Sequence, residues 1–325
     1  MFSEQSRMLA ESRPHRALVV GSTGFLGSHL TTRLLRDGWQ VYDLRFAGRT
    51  RKAALPGAQL RIAAGTGVPE IAAALPDEPF DIVFHVAAAG VQPGERDPDV
   101  LFQGNVALPQ AVVRALEDRV TGRFVLAGSC AEYGPVVEGR PLREDDPTLP
   151  SDLYGASKAA GTVWTLAAGA ACRVPAVALR IFHIFGPGEA PHRLVSALFQ
   201  QLRQTRPVAL SPGGQVRDLL FVEDVVDGLL AAASVPPGSV YNLCSSQPVS
   251  VREVAIEAAR VLGQPESLLR FGDLSYRPGE SMWLVGDNRR FCSASGWAPR
   301  WTLAAALKRM AAEPISLSVP ENPAG

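Results

Sequence analysis

Residues 17–35 read ALVVGSTGFLGSHLTTRLL: a short apolar, β-branched run, then Gly21, Gly24 and Gly27 at three-residue intervals, then a run of helical period. No other stretch limits the fold as much. A strand that turns straight into a helix needs a tight turn, and glycine allows both that turn and close approach of the backbone to a bound group. The first amides of the helix have no partner within it and carry the positive end of its dipole, so an anion is stabilised there. Glycines alone would serve a simple turn equally well. Strand, glycine loop and helix together point to the pyrophosphate of a dinucleotide, and to parallel strands linked by crossover helices.

The first half of the chain keeps that rhythm. QVYDL, DIVFHVAA and RFVLAGS are strand-like, and amphipathic runs separate them, including a helix expected from Asn105 and one from near Ser151. Gly38 stands where a left-handed cap would close the first helix. The fold class expected is α/β, a doubly wound parallel Rossmann-type sheet with a smaller mixed α/β substrate-binding lobe. From about Gly186 the pattern loosens, with GPGEAP, RPVALSPGG and SVPPGS between helical runs. The expected organisation is a disordered extension over residues 1–15, a dinucleotide-binding domain over 16–185 plus about 215–245, a substrate lobe over about 186–214 plus 246–312, and a flexible tail over 313–325.

Composition removes several functions. The chain holds 32 basic and 32 acidic residues, so no basic field points to nucleic acid or to an anionic membrane. Met1–Arg16 has no apolar run of signal length and no later run is long enough to span a bilayer, so a soluble cytoplasmic protein is expected. Cys130, Cys172, Cys244 and Cys292 are scattered without Cys-x-x-Cys spacing, which argues for reduced thiols and for no metal site.

Two segments carry chemistry. LYGASKAAG places Tyr154 and Lys158 four apart, on one face of a helix. A phenol near pKa 10 transfers protons poorly at neutral pH, and a nearby ammonium lowers it. GSCAEYG, residues 128–134, ends a strand and offers Ser129, Cys130, Glu132 and Tyr133. Ser129 lies at the strand tip, where sites of parallel α/β sheets form. Cys130 reads as a small buried hydrophobe, Tyr133-Gly134 as packing and turn, and Glu132 as facing away on the strand.

The G-x-x-G-x-x-G spacing with Phe25-Leu26, FDIVFHVAAAG, Tyr154-x-x-x-Lys158 and RDLLFVEDVVDGLL together resemble the extended short-chain dehydrogenase/reductase family over nearly the whole chain. The resemblance implies a nicotinamide cofactor held by Gly21, Gly24, Phe25, Leu26, Gly27, Ala87 and Asn105, with Tyr154 and Lys158 also reaching it. It implies a catalytic Ser129–Tyr154–Lys158 set: Ser129 orients a carbonyl, Tyr154 supplies the proton, and Lys158 tunes the phenol and holds the cofactor ribose. At the end of the second strand a carboxylate would suit NAD and an arginine NADP(H). Asp43 is the tempting carboxylate, but by family spacing the ribose-facing position is Arg45, with Arg49, Arg51 and Lys52 behind it, so NADP(H) is expected and NAD is the alternative. Gly65-Thr66 replaces the family's frequent Gly-Asp, which removes the usual carboxylate contact to adenine.

Related 4,6-dehydratases carry Asp-Glu directly after the Ser or Thr, and here those positions are Cys130 and Ala131, so dehydration is disfavoured. On the substrate side the resemblance places His183 where an asparagine is common, and Arg217 and Arg277 where a nucleotide diphosphate is gripped. Either arginine could instead be structural, paired with Asp218 or Glu280. The function expected is NADPH-dependent reduction of a 4-keto nucleotide-diphosphate sugar at carbon 4. A 4-epimerase retaining NAD is the alternative, and a catalytically idle NADP-binding regulator a second one. A homodimer through a four-helix interface is expected from NVALPQAVVRAL and YGASKAAGTVWTLAAGAAC, which are apolar around too much of their circumference for one sheet face.

Overall fold

The computed structural model describes residues 14–48, 53–92, 94–134, 139–277 and 279–312. Its strands are β1 (Arg16–Val20), β2 (Gln40–Phe46), β3 (Gln59–Ala63), β4 (Phe80–His85), β5 (Val120–Ser129), β6 (Ala176–Ile181), β7 (His183–Phe185), β8 (Val208–Leu210), β9 (Val216–Phe221), β10 (Val240–Leu243), β11 (Pro248–Ser250), β12 (Leu269–Phe271) and β13 (Trp283–Leu284). The α-helices are α1 (Phe25–Arg36), α2 (Val68–Ala74), α3 (Pro98–Phe102), α4 (Leu108–Ala115), α5 (Leu153–Ala171), α6 (Leu194–Leu202), α7 (Val222–Ala231), α8 (Val251–Val261), α9 (Arg289–Ser295) and α10 (Leu303–Ala311).

Seven strands form one sheet in the order β10-β6-β5-β4-β1-β2-β3, and every pairing in it is parallel. Helices cover both faces, which is why ALVV has no polar alternation. Ala17 and Val19 pack with Leu30 and Leu34 of α1, whereas Leu18 and Val20 pack with Val112 of α4 and Ile71 of α2. The strand order reverses between β1 and β4, and a doubly wound sheet opens its ligand crevice there. Gly38, at φ +82°, closes the turn after α1 as expected.

The smaller lobe holds β11, β9 and β13, with β7 pairing β9, and a separate β8–β12 pair. Its own core runs from Phe185 and Phe221 through Leu198 and Leu202 to Leu307.

Three expectations need correction. Asn105 does not start a helix: the helical run begins at Pro98, and Asn105 lies in a π-helical turn, Gln103–Ala107, between α3 and α4. Pro109 explains the irregularity, because it has no N–H to donate to the carbonyl four residues back, which is that of Asn105. Gly161 of α5 packs against this same carbonyl, where a β-carbon would come within 2.0 Å. The helix expected from Ser151 begins at Leu153, because the Asp152 side chain caps it by accepting from the Gly155 amide at 2.7 Å. Finally, His15 belongs to the fold, its carbonyl accepting from the Gln40 amide at 2.8 Å and its ring lying 5.0 Å from that of Trp39. The expectations for residues 1–13, 313–325, Arg49, Arg51 and Lys52 lie outside the described residues. Among the described residues no helix is long and apolar enough to cross a membrane.

Candidate active site

The glycine loop is folded so tightly that side chains have no room in it. A β-carbon at Gly27 would lie 1.9 Å from the Gly21 carbonyl oxygen, and one at Gly21, where φ is +97°, would lie 2.6 Å from the Ala87 amide nitrogen. Ala87 and Val86 both donate to the Val20 carbonyl, which draws the chain after β4 against the loop. The first turn of α1 carries no acidic residue, so its amides face the crevice without a competing charge. The side chains of Phe25 and Leu26 pack against the core of the smaller lobe, so what they present to the crevice is backbone.

A cavity of about 360 Å³ lies in front of this loop, between Gly21–Thr23, Asp43–Phe46 and Ala87–Ala89. At its far edge Asp43 is fully buried and accepts from the Ser22 hydroxyl at 2.5 Å. The guanidinium of Arg45, 9 % exposed, lies 2.6 Å from the Asp43 carboxylate and donates to the Ala53 carbonyl at 3.2 Å. The two residues between which the cofactor choice was weighed are therefore an ion pair on one wall. A cradle that any β-carbon would fill, a bare helix N-terminus and a polar far wall fit a nicotinamide dinucleotide.

Ser129, Tyr154 and Lys158 converge at the carboxyl end of β5. Tyr154 sits in the first turn of α5, its phenol raised above its usual value chiefly by burial, with Ser129 and the Arg193 guanidinium opposing that rise. One turn on, Lys158 is buried and donates from Nζ to the Ala127 carbonyl at 2.6 Å. Burial lowers its pKa, and the Glu132 carboxylate opposes that. Asn105 ties the chain after β4 to α5: its amide oxygen accepts from the Ala89 amide at 2.9 Å, and its Nδ2 donates to the Ala89 carbonyl at 3.1 Å and to Ser157 Oγ at 2.9 Å.

The residues after Ser129 do not continue the strand. Cys130–Glu132 is a 3₁₀ turn, and Glu132 swings back so that its carboxylate accepts from the Ser129 amide at 2.8 Å. The expectation that Glu132 faces away on a strand is therefore corrected. A capping box, with Ser129 as cap and Glu132 as its acidic member, outcompetes extension. Cys130 is buried with its thiol pushed up to about 12, chiefly by burial, so it stays neutral.

On the substrate side, His183 opens β7 with Nδ1 buried and lacking a hydrogen-bond partner. Burial, with Arg217 and Arg193 nearby, lowers it to about 4, so it is a neutral imidazole at physiological pH. Arg217 lies 3.0 Å from Glu280, the second of the partners considered for it. Asp218 instead accepts from the amides of Ser245 and Ser246, at 2.7 and 2.9 Å, and pairs with no arginine proposed for the site. Arg277 is exposed, and its backbone amide donates to the other Glu280 oxygen at 3.2 Å, so both arginine positions meet at one carboxylate.

Two residues here were not anticipated. Arg193 donates to the Val91 carbonyl at 3.0 Å across the cleft, and Glu189 is raised to about 7 by burial while accepting from Ser196. The Gly/Pro-rich crossover GPGEAPHR gave a signal in its charged residues, but spacing alone did not aim them at the cleft.

Fold and crevice define a dinucleotide-binding protein with a Ser–Tyr–Lys centre. The sequence profile of the NAD dependent epimerase/dehydratase family matches residues 17–244, and the chain belongs to that family, of the extended short-chain dehydrogenase/reductase type. A dTDP-6-deoxy-L-talose 4-dehydrogenase (NAD(P)(+)) of Kitasatospora kifunensis is 30 % identical over 308 residues, 91 % of this chain and 95 % of the relative. A UDP-glucose 4-epimerase of Azospirillum brasilense is also 30 % identical, over 88 % and 87 % of the two chains. Among solved structures, MoeE5 in complex with UDP-glucuronic acid and NAD superimposes with a TM-score of 0.77 at 30 % identity, covering 91 % of this chain and 97 % of that one.

Proposed function

We propose that this protein modifies a nucleotide-diphosphate sugar, and specifically that it reduces a 4-keto group of such a sugar with NADPH. The observation that carries the reading is the placement of Ser129 at the tip of β5 beside the first turn of α5, which holds Tyr154, with Gly155 packed against the Ala131 carbonyl and Lys158 one turn on donating from Nζ to the Ala127 carbonyl of β5 at 2.6 Å. When bound, the nicotinamide supplies the hydride that goes to carbon 4. Ser129 and Tyr154 hold the carbonyl oxygen, Tyr154 gives it a proton, and Lys158 supports the phenol and the cofactor ribose, so carbonyl, hydride and proton balance to an alcohol. Arg217 and Arg277 bind the diphosphate and the neutral His183 hydrogen-bonds the sugar.

Dehydration is disfavoured because the positions after Ser129 hold a neutral thiol and an alanine, and Glu132 is locked in an ion pair. The name of the Kitasatospora relative, a 4-dehydrogenase using NAD(P), supports redox chemistry at carbon 4. Arg45 supports NADPH. The second reading, an NAD-retaining 4-epimerase, is supported by the Azospirillum relative and by Asp43 on the cofactor wall. Identification of cofactor in the purified protein, followed by NADPH consumption over a panel of 4-keto nucleotide sugars, tests the reading. Expected are weakly held NADP and stoichiometric oxidation with one panel member. Tightly retained NAD with interconversion of 4-hydroxyl epimers would replace reductase by epimerase, and binding without any turnover would favour an idle regulator.

A further inference from the structure

Beneath the reacting residues lies a carboxylate that no step above uses. Glu132 is 0 % exposed, yet both of its carboxylate oxygens meet donors. Oε1 accepts from the Ser129 amide at 2.8 Å and from Thr162 Oγ1 at 3.0 Å, and Oε2 accepts from Arg180 Nε at 2.9 Å. Thr162 stands one turn after Lys158 on α5, and Arg180 stands on β6 opposite Gly128. Gly128 leaves the space: a β-carbon there would lie 2.6 Å from Glu132 Oε1. One carboxylate thus joins β5, β6 and α5 directly behind Ser129.

The charges around it make this more than a brace. A buried ammonium loses most of its solvation, and Lys158 has a backbone carbonyl, not an anion, as its hydrogen-bond acceptor. Arg180 is a second buried cation in the same place, stacked at 4.6 Å on Tyr133 and donating to the Glu144 carbonyl. His85 approaches Lys158 from β4, but burial holds its pKa at about 3, so it adds no charge. Cys130 is neutral, Tyr154 is a neutral phenol before reaction, and Arg193 approaches Tyr154 from the cleft side. Glu132 is therefore the anion set against Lys158 and Arg180 together.

We propose that Glu132 is a positioning residue of the catalytic centre, whose carboxylate, anchored by Arg180 and Thr162, keeps Lys158 in the ammonium form and fixes Ser129 at the strand tip. It donates no proton to substrate. The inference takes the roles of Ser129, Tyr154 and Lys158 from the proposed function, but its test needs neither substrate nor turnover.

The chain has three lysines, Lys52, Lys158 and Lys308, so lysine labelled at Cε and Nζ gives a spectrum simple enough to follow each group through a pH titration, with Lys158 identified by its loss in Lys158→Met. Wild type is expected to show Lys158 as an ammonium at about pH 8. Glu132→Gln keeps the shape and an acceptor oxygen but removes the charge, and should lower the titration point of Lys158 by about one pH unit or more. Glu132→Asp keeps the charge and should leave that point within about half a unit of wild type. The proposal is overturned if Lys158 is an amine in wild type at that pH, if folded Glu132→Gln leaves its titration unmoved, or if Glu132→Asp moves it as far as Glu132→Gln does. Should Glu132→Gln not fold, an amine in wild type at that pH, or a shift of about one pH unit or more in Glu132→Asp, still overturns the proposal. A loss of the nucleotide-sugar reading would leave all three titrations unchanged.

Discussion

At the scale of single residues, the proposed chemistry falls to Tyr154, with Ser129 and Lys158 as its partners. Tyr154→Phe keeps the ring packed and removes the hydroxyl, so turnover should fall by roughly 10²–10⁴ with cofactor affinity nearly unchanged. Ser129→Ala should cost roughly 10² in turnover, and Lys158→Met should weaken both turnover and cofactor binding. Cys130→Ser should be nearly silent, because the thiol is buried and neutral. Steady-state kinetics beside cofactor titration checks the set, and a near-normal Tyr154→Phe would sink it. The proposed cofactor choice turns on the Asp43–Arg45 pair. Asp43→Asn removes the anion that neutralises Arg45 and should shift the preference toward NADPH over NADH by about tenfold, the size of one charge-assisted contact. No shift, or one toward NADH, would show that the pair does not set the preference.

His85 is a second residue with a measurable consequence. It is fully buried, neither ring nitrogen has a hydrogen-bond partner, and burial, aided by Lys158, lowers it from 6.5 to about 3. A base with a depressed folded pKa contributes stability that is present above its unfolded value and is lost as pH falls toward the folded one. Between pH 7.5 and 4.5 this loss should be roughly 2–3 kcal/mol. Urea unfolding of His85→Leu at the two pH values should show that much less acid sensitivity than wild type. Equal sensitivity would place the acid-labile group elsewhere, His183 being the next to test because it too is buried neutral.

At the scale of elements, the glycine loop and the broken helix α3–α4 both trade side chains or hydrogen bonds for close approach. Gly27 sits where α1 meets its own turn, and a methyl group there would strike the Gly21 carbonyl, an atom of the backbone that cannot swing aside. Gly27→Ala should abolish detectable NADPH binding by fluorescence titration while the circular dichroism of the sheet persists. Retained binding would mean that the loop relaxes, and the cradle argument would fail. The π-helical turn shows the same economy in the other direction: Pro109 frees the Asn105 carbonyl, Gly161 of α5 closes against it, and the Asn105 side chain is left to bridge Ala89 and Ser157. The link from β4 to the helix that carries Tyr154 and Lys158 depends on that irregularity.

At the scale of the molecule, the apolar face left uncovered lies on α3 and α5, and not on α4 as NVALPQAVVRAL led one to expect, because Leu108, Ala111, Val112 and Val113 of α4 are buried against the sheet and α2. Phe102 is 54 % exposed, Val163 68 % and Trp164 59 %, with Val100 and Leu153 alongside. We propose that this exposed apolar surface is an association site, where two copies of these helices cover one another as a four-helix interface. Light scattering at micromolar concentration should give a dimer for wild type and a monomer for Val163→Glu with Trp164→Glu, the double variant keeping its helical signal. A wild-type monomer would end the proposal.

Much was legible in the residues themselves because it is local. Glycine spacing, strand and helix period, and the four-residue separation of Tyr154 and Lys158 follow from geometry within one or two turns of chain, and they gave the parallel sheet, the crevice and the face of α5 that carries Tyr154 and Lys158. What could not be read locally was whatever depends on two distant segments competing for one group. The sequence places Asp43 and Arg45 on one face of β2, a local pairing, but only the fold brings the Ser22 hydroxyl onto Asp43 and the Ala53 carbonyl onto Arg45. It places Glu132 three residues past Ser129, where period-two alternation sends it outward, and the tertiary structure sends it inward because Arg180, 48 residues later, and Thr162, 30 residues later, donate to its carboxylate there. A buried charge goes where its desolvation is repaid, and that place is set by the packing of β5, β6 and α5 rather than by the order of residues along any one of them.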